Sequence, residues 1–445
     1  MAKLSVSFMG LGYVGLVTSA CFASRGIKTI GCDVNQDIVE LVLRGQTPIV
    51  EMGLDELLHE SVLNGFLRAI VDPNEAIVDT DITFLTVGTP SREDGSIDLS
   101  SIKSASKMIG KALSEKDDWH LIVVKSTVTP TTTENVVKAS IEESSRKSIS
   151  RDFGLCMNPE FLMEGSALRD TFEADRVIIG EADPRSGDML EELYKQFYGE
   201  SMPPIIRTSI VDAELTKYAN NAFLAMKISF INQMADVCQK IPNADIETVA
   251  KCIGLDARVG PLFLKAGLGW GGSCFPKDLK AFQSFSQSLG VSVPLIEATL
   301  SVNDGQPLKA VDLTKKFLMT LRDARIAILG LSFKPGTDDM RNAVSIQIVK
   351  EFLKSGARIA AYDPVAMENA KKIFGNKVEY SQSILDCIRN ADCAIVVTEW
   401  PEFSALKPED FIGRMRNPIV IDGRRIYDPK KFSSKLKYAA VGLGQ

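Results

Sequence analysis

The sequence predicts an α/β protein with two Rossmann-like, doubly wound parallel-sheet domains joined by a central long-helix segment. Three observations support this prediction. A short apolar strand, a glycine-rich turn and a helix follow one another at the N-terminus, and apolar strands that end in polar turns recur in the first and last parts of the chain. Between them, residues 211–240 show helical spacing without Gly or Pro. A length of 445 residues exceeds one ordinary core, so we expect domains at 1–208, 209–321 and 322–445.

Composition and charge narrow the class of partner. The chain has 51 basic and 57 acidic residues, a net charge of −6 and no basic run, so we expect no nucleic-acid partner. No apolar run approaches membrane-spanning length, and the N-terminus resembles no signal peptide, so we expect a cytoplasmic protein that does not bind a membrane. The eight cysteines are scattered without Cys-x-x-Cys pairs, which argues against disulfides and a metal site.

The N-terminal strand leads into the turn Gly10-Leu-Gly-Tyr-Val-Gly15 and a helical pattern over 16–24. In this context the glycine spacing indicates a dinucleotide site, because the glycines admit a pyrophosphate to the helix N-terminus. A second strand ends at Asp33, where a carboxylate would bind ribose hydroxyls and repel a 2′-phosphate, so NAD is favoured over NADP. The alternative is a turn that only packs the helix and a capping aspartate.

Two further buried-type strands, at 81–87 and 119–125, end in the polar turns Gly88-Thr-Pro90 and Ser126-Thr127. Ligands bind at the carboxyl ends of strands in open α/β sheets, so these turns are candidates for the site. Each is equally plausible as a helix cap on this evidence alone.

Two pairs of polar residues are spaced by one helical turn. Glu160 and Glu164 follow a strand at 152–156, and we expect them to face one site, although acidic residues in a first helical turn are common. Lys217 and Asn221 lie on one face of the predicted long helix, where the alternative is a solvated polar stripe.

A glycine-dense loop at 267–278 carries Cys274, with Lys277 close behind it. The glycines let backbone amides approach a ligand, and positive charge nearby favours the thiolate, so Cys274 is a candidate nucleophile. The other seven cysteines lie in more apolar runs and are expected to be buried and inert. Only His59 and His120 are present, and neither lies in a motif.

A second α/β pattern begins at 325–331, and further buried-type strands follow at 357–362, 391–397 and 418–422. It lacks GxGxxG, so it need not bind a second dinucleotide.

The loop at 267–278, the run Asn-Pro-Glu-Phe-Leu at 158–162 and the pattern Glu-Leu-x-Lys-x-x-x-Asn at 214–221 resemble motifs of the UDP-glucose/GDP-mannose dehydrogenase family. The resemblance extends along nearly the whole chain. It implies an NAD-dependent enzyme that oxidises a nucleotide-sugar alcohol to the acid. It also implies an N-terminal NAD-binding domain, a central segment that packs in a homodimer interface, a C-terminal UDP-sugar-binding domain and an active site in the cleft between the domains.

The resemblance implies roles for the candidate catalytic residues. Asp278, with a water near Thr127, accepts the proton of the primary alcohol, and Cys274 holds the aldehyde as a thiohemiacetal and then the acid as a thioester. Lys217 and Asn221 stabilise the oxyanion, and a glutamate activates the hydrolytic water. The catalytic candidates are Cys274, Lys217, Asn221, Asp278, Thr127, Glu160 and Glu164.

The candidate cofactor-binding residues are Gly10, Gly12, Tyr13, Val14, Gly15, Asp33, Thr89, Thr127, Glu164, Lys277 and Arg341. The candidate substrate-binding residues are Glu160, Phe161, Leu162, Lys217, Asn221, Arg258, Phe263, Leu264, Lys265, Gly271, Phe333, Lys334 and Arg424. By the same resemblance Arg258 reaches the site of a neighbouring subunit. Without the resemblance, each of the lysines and arginines in this set is equally well explained as a solvated surface charge.

The implied reaction converts UDP-glucose, two NAD+ and water into UDP-glucuronate and two NADH. The runs Cys-Phe-Pro-Lys-Asp and Phe-Lys-Pro-Gly-Thr-Asp-Asp-Met-Arg favour the UDP-glucose branch, and a GDP-mannose or UDP-N-acetylhexosamine dehydrogenase is the alternative within the family. A non-catalytic NAD-binding protein is an alternative from another class. Such a protein would be expected to lack Cys274 or Lys217, and this sequence has both. A cysteine hydrolase would need a histidine base, and neither His59 nor His120 lies in a motif, so this function is disfavoured.

Overall fold

The computed structural model describes residues 3–444; Met1, Ala2 and Gln445, which fall in the predicted terminal domains, lie outside the described residues. The chain forms two compact units that divide at Asn220 and Asn221, inside one continuous helix. The predicted three-part division, at 208/209 and 321/322, stays a prediction.

The first unit is a sheet with helices in the connections between its strands. Its strands are β1 Val6–Met9, β2 Thr29–Cys32, β3 Leu67–Ile70, β4 Ile82–Leu85, β5 His120–Val124, β6 Phe153–Met157, β7 Val177–Glu181 and β8 Ile205–Thr208. Its helices are α1 Tyr13–Ser24, α2 Gln36–Leu43, α3 Leu54–Leu63, α4 Pro73–Val78, α5 Ser100–Ser114, a π-helix Thr133–Lys138, α6 Ala139–Ser145, α7 Ala167–Phe172, α8 Pro184–Tyr198 and a 3₁₀ turn Gly199–Ser201. Helix α9, Ile210–Cys238, begins in this unit and ends in the second.

The strand order in this sheet is β3-β2-β1-β4-β5-β6-β7-β8. The order reverses between β1 and β4, which pair in parallel, and the crevice at such a reversal is where open α/β sheets bind ligands. Strand β7 pairs antiparallel with β6, so the sheet is parallel up to that point and again between β7 and β8. The glycine-rich turn follows β1 and therefore lies at the reversal.

The strands of the first sheet are buried because apolar side chains pack on both of its faces. Val6 and Phe8 of β1 belong to one core cluster, whereas Met9 belongs to the cluster on the opposite face. The Phe8 ring stacks on that of Phe84 in β4, with ring centroids 4.9 Å apart. This two-sided burial explains why the strands read as nearly continuous apolar runs.

The second unit repeats the pattern. Its strands are β9 Arg325–Leu329, β10 Arg358–Tyr362, β11 Val378–Tyr380, β12 Cys393–Val396, β13 Ile419–Asp422 and β14 Lys437–Ala440, in the all-parallel order β11-β10-β9-β12-β13-β14. Its helices are α10 Ile246–Gly254, α11 Phe275–Ser288, α12 Pro294–Gly305, α13 Leu308–Lys315, α14 Val344–Lys354, α15 Met367–Phe374, a 3₁₀ turn Gly375–Lys377, α16 Ile384–Cys387, α17 Pro401–Ser404, α18 Pro408–Ile412 and α19 Pro429–Ser433. The order again reverses beside the first strand of the unit, here between β9 and β12.

The predicted fold class is confirmed: two doubly wound sheets are present, and a long helix, α9, lies between them in the sequence. Two local predictions are wrong. Glu160 and Glu164 do not lie one helical turn apart, because residues 158–165 form no helix and α7 begins only at Ala167. Pro159 disfavours helical backbone at the residue before it, and the Glu160 carboxylate accepts the N–H of Leu162 at 2.7 Å, which closes a local turn instead.

The second error concerns Cys252. It is exposed on α10, whereas burial was expected, because α10 is amphipathic and Cys252 lies outside the face that buries Ile246. The remaining cysteines apart from Cys274 are buried, and no disulfide is formed within residues 3–444. No helix among the described residues is both long and apolar enough to span a membrane.

Candidate active site

The glycine-rich turn has the shape that a pyrophosphate requires. Gly10 has φ +102°, a conformation that side chains with a Cβ rarely adopt. A Cβ on Gly15 would lie 1.9 Å from the carbonyl oxygen of Gly10, so this position must be glycine for α1 to approach β1. Nothing lies within 4 Å of the corresponding point at Gly12, which leaves that backbone open to a ligand. The turn therefore fits a dinucleotide at the N-terminus of α1, next to Tyr13 and Val14.

Asp33 lies at the end of β2, beside this turn. Its Oδ2 accepts the N–H of Leu11 at 2.7 Å, and its Oδ1 accepts the N–H of Asn35 at 2.9 Å. The carboxylate is thus held in place by backbone amides from the two elements that would flank a ribose.

The turns after β4 and β5 contact each other at the carboxyl edge of the sheet. The Thr89 hydroxyl donates to the carbonyl oxygen of Thr127 at 2.9 Å, and the Ser126 hydroxyl donates to that of Val87 at 2.6 Å. The structure therefore brings Thr89 and Thr127 together, as their places after adjacent parallel strands predict.

A buried ion pair joins α9 to the segment after β6. The Lys217 ammonium lies 3.0 Å from Glu160 Oε1 and donates to the carbonyl oxygen of Glu160 at 2.6 Å. Burial alone would raise the pKa of the Glu160 carboxyl, but the charge of Lys217 and the N–H of Leu162 lower it on balance. A buried carboxylate held in its charged form is thus placed against a buried ammonium.

Phe161 lies beside this pair. Its ring centroid is 5.3 Å from the Lys217 ammonium and 4.1 Å from the guanidinium carbon of Arg176. Leu162 packs against the core cluster that contains Phe8. Glu164 follows in a turn that ends at Gly165, whose φ is +81°.

Cys274 is exposed and immediately precedes helix α11. Pro276 occupies the first turn of the helix, where its missing N–H is not needed, and the N–H of Asp278 donates to the carbonyl oxygen of Cys274 at 2.8 Å. The N-terminus of a helix favours negative charge, which suits a thiolate nucleophile.

Asp278 lies one turn into the same helix and is almost completely buried. Its Oδ2 accepts from the Asn221 side-chain amide at 2.6 Å, and its Oδ1 lies 2.6 Å from the Lys277 ammonium. Asn221, Lys277 and Asp278 therefore form one hydrogen-bonded group that begins one turn from the Cys274 backbone.

The cysteine loop packs against the segment after β9. The N–H of Gly272 donates to the carbonyl oxygen of Arg341 at 3.0 Å, and a Cβ on Gly272 would lie 2.8 Å from the Phe333 ring. At Gly271 a Cβ would lie 2.2 Å from the carbonyl oxygen of Asn342. Two of the loop glycines are thus required by close packing against Phe333 and the backbone around Arg341.

A pair of cations converges on Glu399, which follows β12. Lys265 lies 3.6 Å from its Oε1, and the Nε of Arg424 lies 3.4 Å from its Oε2. Burial acts to raise the pKa of the Glu399 carboxyl, but the two cations lower it on balance. Arg424 also donates to the carbonyl oxygen of Gly269 at 3.2 Å, so this cluster touches the cysteine loop.

The remaining substrate candidates are more scattered. Leu264 is buried, and Phe263 has an unusual φ of +63° with its ring 6.5 Å from that of Phe275. The Lys334 ammonium lies 5.7 Å from the Phe333 ring centroid. The Arg258 side chain is 89% exposed, and its guanidinium contacts only Asp256 within the described part of the chain. Arg258 is therefore not drawn into the cluster around Glu399.

Sequence reasoning missed several buried charged residues. The Lys125 ammonium donates to the Asn158 side-chain oxygen at 2.9 Å, and burial lowers its pKa to about 8 despite the charge of Glu160. Glu214 accepts the N–H of Thr131 at 2.6 Å and that of Thr133 at 2.8 Å, and Thr131 has a strained φ of +74°. A lysine ending an otherwise apolar strand was the available signal for Lys125.

Among residues 3–444, no group of three His, Cys, Asp or Glu side chains is placed to hold a metal ion.

Comparison with protein families matches three successive parts of the chain to one family. Residues 4–198 match the NAD binding domain of the UDP-glucose/GDP-mannose dehydrogenase family, residues 211–305 match its central domain, and residues 327–429 match its UDP binding domain. Together these matches cover most of the sequence.

Individual relatives agree with this assignment. The chain is 45% identical over 424 residues to a UDP-glucose 6-dehydrogenase of Haloferax volcanii, covering 95% of this chain and 97% of that protein. It is 39% identical over 427 residues to the UDP-glucose 6-dehydrogenase TuaD of Bacillus subtilis, covering 96% and 90%. A solved UDP-glucose dehydrogenase from Pyrobaculum islandicum matches with a TM-score of 0.91 and 39% identity, covering 99% of this chain and 98% of that one. The resemblance inferred from the motifs is therefore confirmed, and the chain belongs to the UDP-glucose/GDP-mannose dehydrogenase family.

Proposed function

We propose that this chain is an NAD-dependent UDP-glucose 6-dehydrogenase, which converts UDP-glucose, two NAD+ and water into UDP-glucuronate and two NADH. Full-length similarity to proteins named for this activity supports the substrate. The single structural observation that carries the chemistry is Cys274 exposed at the N-terminus of α11, one turn before a buried Asp278 that is held by Asn221 and Lys277.

The cofactor is NAD, and the turn from Gly10 to Gly15 together with Asp33 fits it. The cofactor, when bound, supplies a hydride acceptor for each of the two oxidations. We assign the pyrophosphate to the N-terminus of α1 and the adenosine ribose to the Asp33 carboxylate, which is already oriented by the N–H groups of Leu11 and Asn35.

In the first oxidation, we assign to Asp278 the proton of the primary alcohol, which it takes through a water held near Thr127. Asp278 suits this role because both of its oxygens are anchored, so the group is oriented before substrate arrives. The Asn221 amide and the Lys217 ammonium are the donors proposed for the alkoxide that forms as the hydride leaves.

The aldehyde is then retained by a covalent bond. The Cys274 thiolate adds to the carbonyl carbon and gives a thiohemiacetal, whose second oxidation produces a thioester. Covalent retention prevents loss of the aldehyde between the two cofactor-dependent steps. Water attacks the thioester, the C–S bond breaks, and the acid and the thiolate are released. We propose Glu160 as the base, because the Lys217 charge keeps its carboxyl ionised despite burial.

The substrate's diphosphate needs cations, and the second unit offers them. We propose that Lys265 and Arg424, which converge on Glu399, bind the phosphates, and that Phe333 and Lys334 contact the nucleotide. Leu264, Phe263 and Gly271 are proposed to line the same region, and Arg341 to approach the cofactor.

We also propose a homodimer in the cytoplasm. Phe223, Phe230 and Val237 recur at heptad spacing on α9 and are 58%, 49% and 51% exposed, which is typical of a helix face that packs against a second copy. Eight cysteines without a disulfide are usual in a reducing compartment.

The proposed function is tested by incubating the purified protein with NAD and separately with UDP-glucose, GDP-mannose and UDP-N-acetylhexosamines, while NADH absorbance is followed. We expect NADH to form with UDP-glucose, about two per sugar consumed, as the two oxidations require. A clear preference for another sugar would transfer the assignment to that branch of the family. Absence of NADH with every sugar would favour a non-catalytic binding protein.

A further inference from the structure

One buried carboxylate of the first unit has no role in the chemistry above. Glu51 lies in the loop between α2 and α3, is only 6% exposed and has no cation within salt-bridge distance among the described residues. A buried carboxylate normally requires strong compensating contacts, so its hydrogen bonds identify what it holds in place.

The Glu51 carboxylate bonds to two segments that are far apart in the sequence. Its Oε2 accepts from the Tyr13 hydroxyl and from the N–H of Gly165 at 2.7 Å, and its Oε1 accepts the N–H of Ala167 at 2.8 Å. The Gly165 N–H also points to the Tyr13 hydroxyl oxygen at 2.8 Å. Both carboxylate oxygens are therefore used, and three donors converge on one side chain.

These two segments bear directly on the proposed reaction. Tyr13 lies within the glycine-rich turn assigned to the pyrophosphate and is the first residue of α1. Gly165 directly follows Glu164, a candidate cofactor contact, and its φ of +81° is a conformation that glycine adopts without steric strain. Burial and the hydrogen bond to Glu51 both raise the pKa of the Tyr13 hydroxyl, so the hydroxyl keeps its proton as a donor to Glu51.

We propose that Glu51 is a positioning residue that connects the glycine-rich turn to the segment 164–167, so that NAD binds to both segments in one fixed arrangement. This inference rests on the proposed function, because it takes the cofactor sites of Tyr13 and Glu164 from there. Glu51 touches neither substrate nor cofactor in this scheme and acts only through the two segments.

The proposal predicts that Glu51 affects the binding of NAD and the binding of UDP-glucose differently. Glu51 holds elements assigned to NAD, whereas the residues proposed for the diphosphate, Lys265 and Arg424, lie in the second unit. Loss of the carboxylate should therefore weaken the binding of NAD more than the binding of UDP-glucose. Because the reaction needs the cofactor twice per sugar, a loop that is already in place lowers the ordering cost of each cofactor binding event.

The test uses the full-length variant Glu51→Gln, in which one acceptor oxygen replaces two and the amide N–H₂ faces a backbone donor. We expect the KM for NAD to rise by about tenfold or more, the loss typical of hydrogen bonds to a charged group, with the KM for UDP-glucose changing by no more than about twofold. Hydrogen exchange should show faster exchange of the Gly165 and Ala167 amides in the variant. In the wild type, NAD should slow that exchange, and this protection should be lost in Glu51→Gln.

Two further variants make the result specific. Tyr13→Phe removes one donor but leaves the carboxylate on both amides, so its effects should be smaller than those of Glu51→Gln and not additive with them. Asp81→Asn is the matched structural control. Asp81 accepts the N–H and the hydroxyl of Ser5 at 2.8 and 2.6 Å and lies at the amino end of β4, whereas the glycine-rich turn follows the carboxyl end of β1. The Asp81→Asn substitution should therefore leave both KM values unchanged.

Three outcomes would overturn the inference. An unchanged KM for NAD in Glu51→Gln, despite faster exchange, would reduce Glu51 to a stabilising contact. Unchanged exchange would show that the carboxylate does not hold the loop. Equal rises in the KM for NAD and the KM for UDP-glucose would indicate general damage to the fold rather than loss of a positioning contact. If instead the wild type formed no NADH with UDP-glucose, the proposed function would fail, while calorimetric NAD binding and hydrogen exchange would still decide the role of Glu51.

Discussion

The Lys217 ammonium lies 3.0 Å from Glu160 Oε1 and 2.6 Å from the carbonyl oxygen of the same residue, and both side chains are buried. A buried charge pair of this kind is costly to break by removing one member, because the other is left without compensation. The pair therefore links the donor proposed for the oxyanion to the base proposed for hydrolysis.

Replacing Lys217 by alanine should lower kcat by about a hundredfold or more, because a donor that acts mainly in the transition state is lost. The KM for UDP-glucose should change far less. Lys227→Ala is a suitable control, since this half-buried lysine on the same helix donates to the carbonyl oxygen of Val259 and not to Glu160. Steady-state kinetics decide the matter, and a rise in KM with kcat unchanged would make Lys217 a uniform binding contact.

Asp33 should make NAD strongly preferred to NADP, because its carboxylate would lie beside the 2′-phosphate. Asp33→Asn should narrow that preference by raising the relative kcat/KM for NADP, while its remaining oxygen can still accept the Leu11 N–H. The measurement is kcat/KM with each cofactor in both proteins. Comparable wild-type values for NAD and NADP would contradict the assignment.

Glu214 should make stability depend on pH. Burial raises the pKa of its carboxyl from 4.5 to about 7, against the hydrogen bonds from Thr133 and Thr131. Because the folded pKa lies above the unfolded one, the protonated group favours folding at low pH, and this contribution is lost as pH rises from about 4.5 to about 7. In Glu214→Gln that loss is absent, so the Tm of the variant relative to the wild type should rise across this interval.

A second variant tests the cause of the shift. The charge of Glu134 also raises the Glu214 pKa, so Glu134→Gln should move the Tm change to lower pH. Parallel Tm curves for wild type and Glu214→Gln at all pH values would show that Glu214 does not titrate in this window.

The exposed apolar face of α9 should be covered in solution by a second copy. Phe230→Asp places a charge at the middle of that face and should shift the protein from dimer to monomer in analytical ultracentrifugation. Met319→Asp, at a fully exposed site on another segment, should leave the dimer intact. A wild-type monomer, or a Phe230→Asp dimer, would place the interface elsewhere.

The parts of the fold that could be predicted are those that produce a local pattern in the sequence. Strands such as β4 and β5 read as apolar runs with polar ends because both faces of their sheet are covered, and α9 shows unbroken helical spacing. The glycine-rich turn was recognisable because its steric demands require glycine at fixed spacing, as the contact between Gly15 and the Gly10 carbonyl illustrates.

The parts that escaped prediction depend on contacts between distant segments. Glu51 and Glu399 sit in loops without periodicity, and only the fold shows that Glu51 meets Gly165 or that Glu399 meets Arg424. The glycine-dense loop at 267–278 did not reveal that a helix begins directly after Cys274. Pro276 lies in the first turn of that helix, α11, but proline is equally compatible with a turn, so the sequence alone did not indicate the helix N-terminus.

The central claim is that Cys274 carries the sugar as a thioester, and a pre-steady-state burst experiment on Glu160→Gln, with UDP-glucose and NAD in excess, tests it most directly. Without the base, both oxidations should proceed and hydrolysis should slow, so a burst of about two NADH per site should precede slow turnover. Mass spectrometry of the quenched protein should then find a UDP-glucuronyl adduct on the peptide that contains Cys274. Slow turnover with no adduct on that peptide would contradict the covalent route.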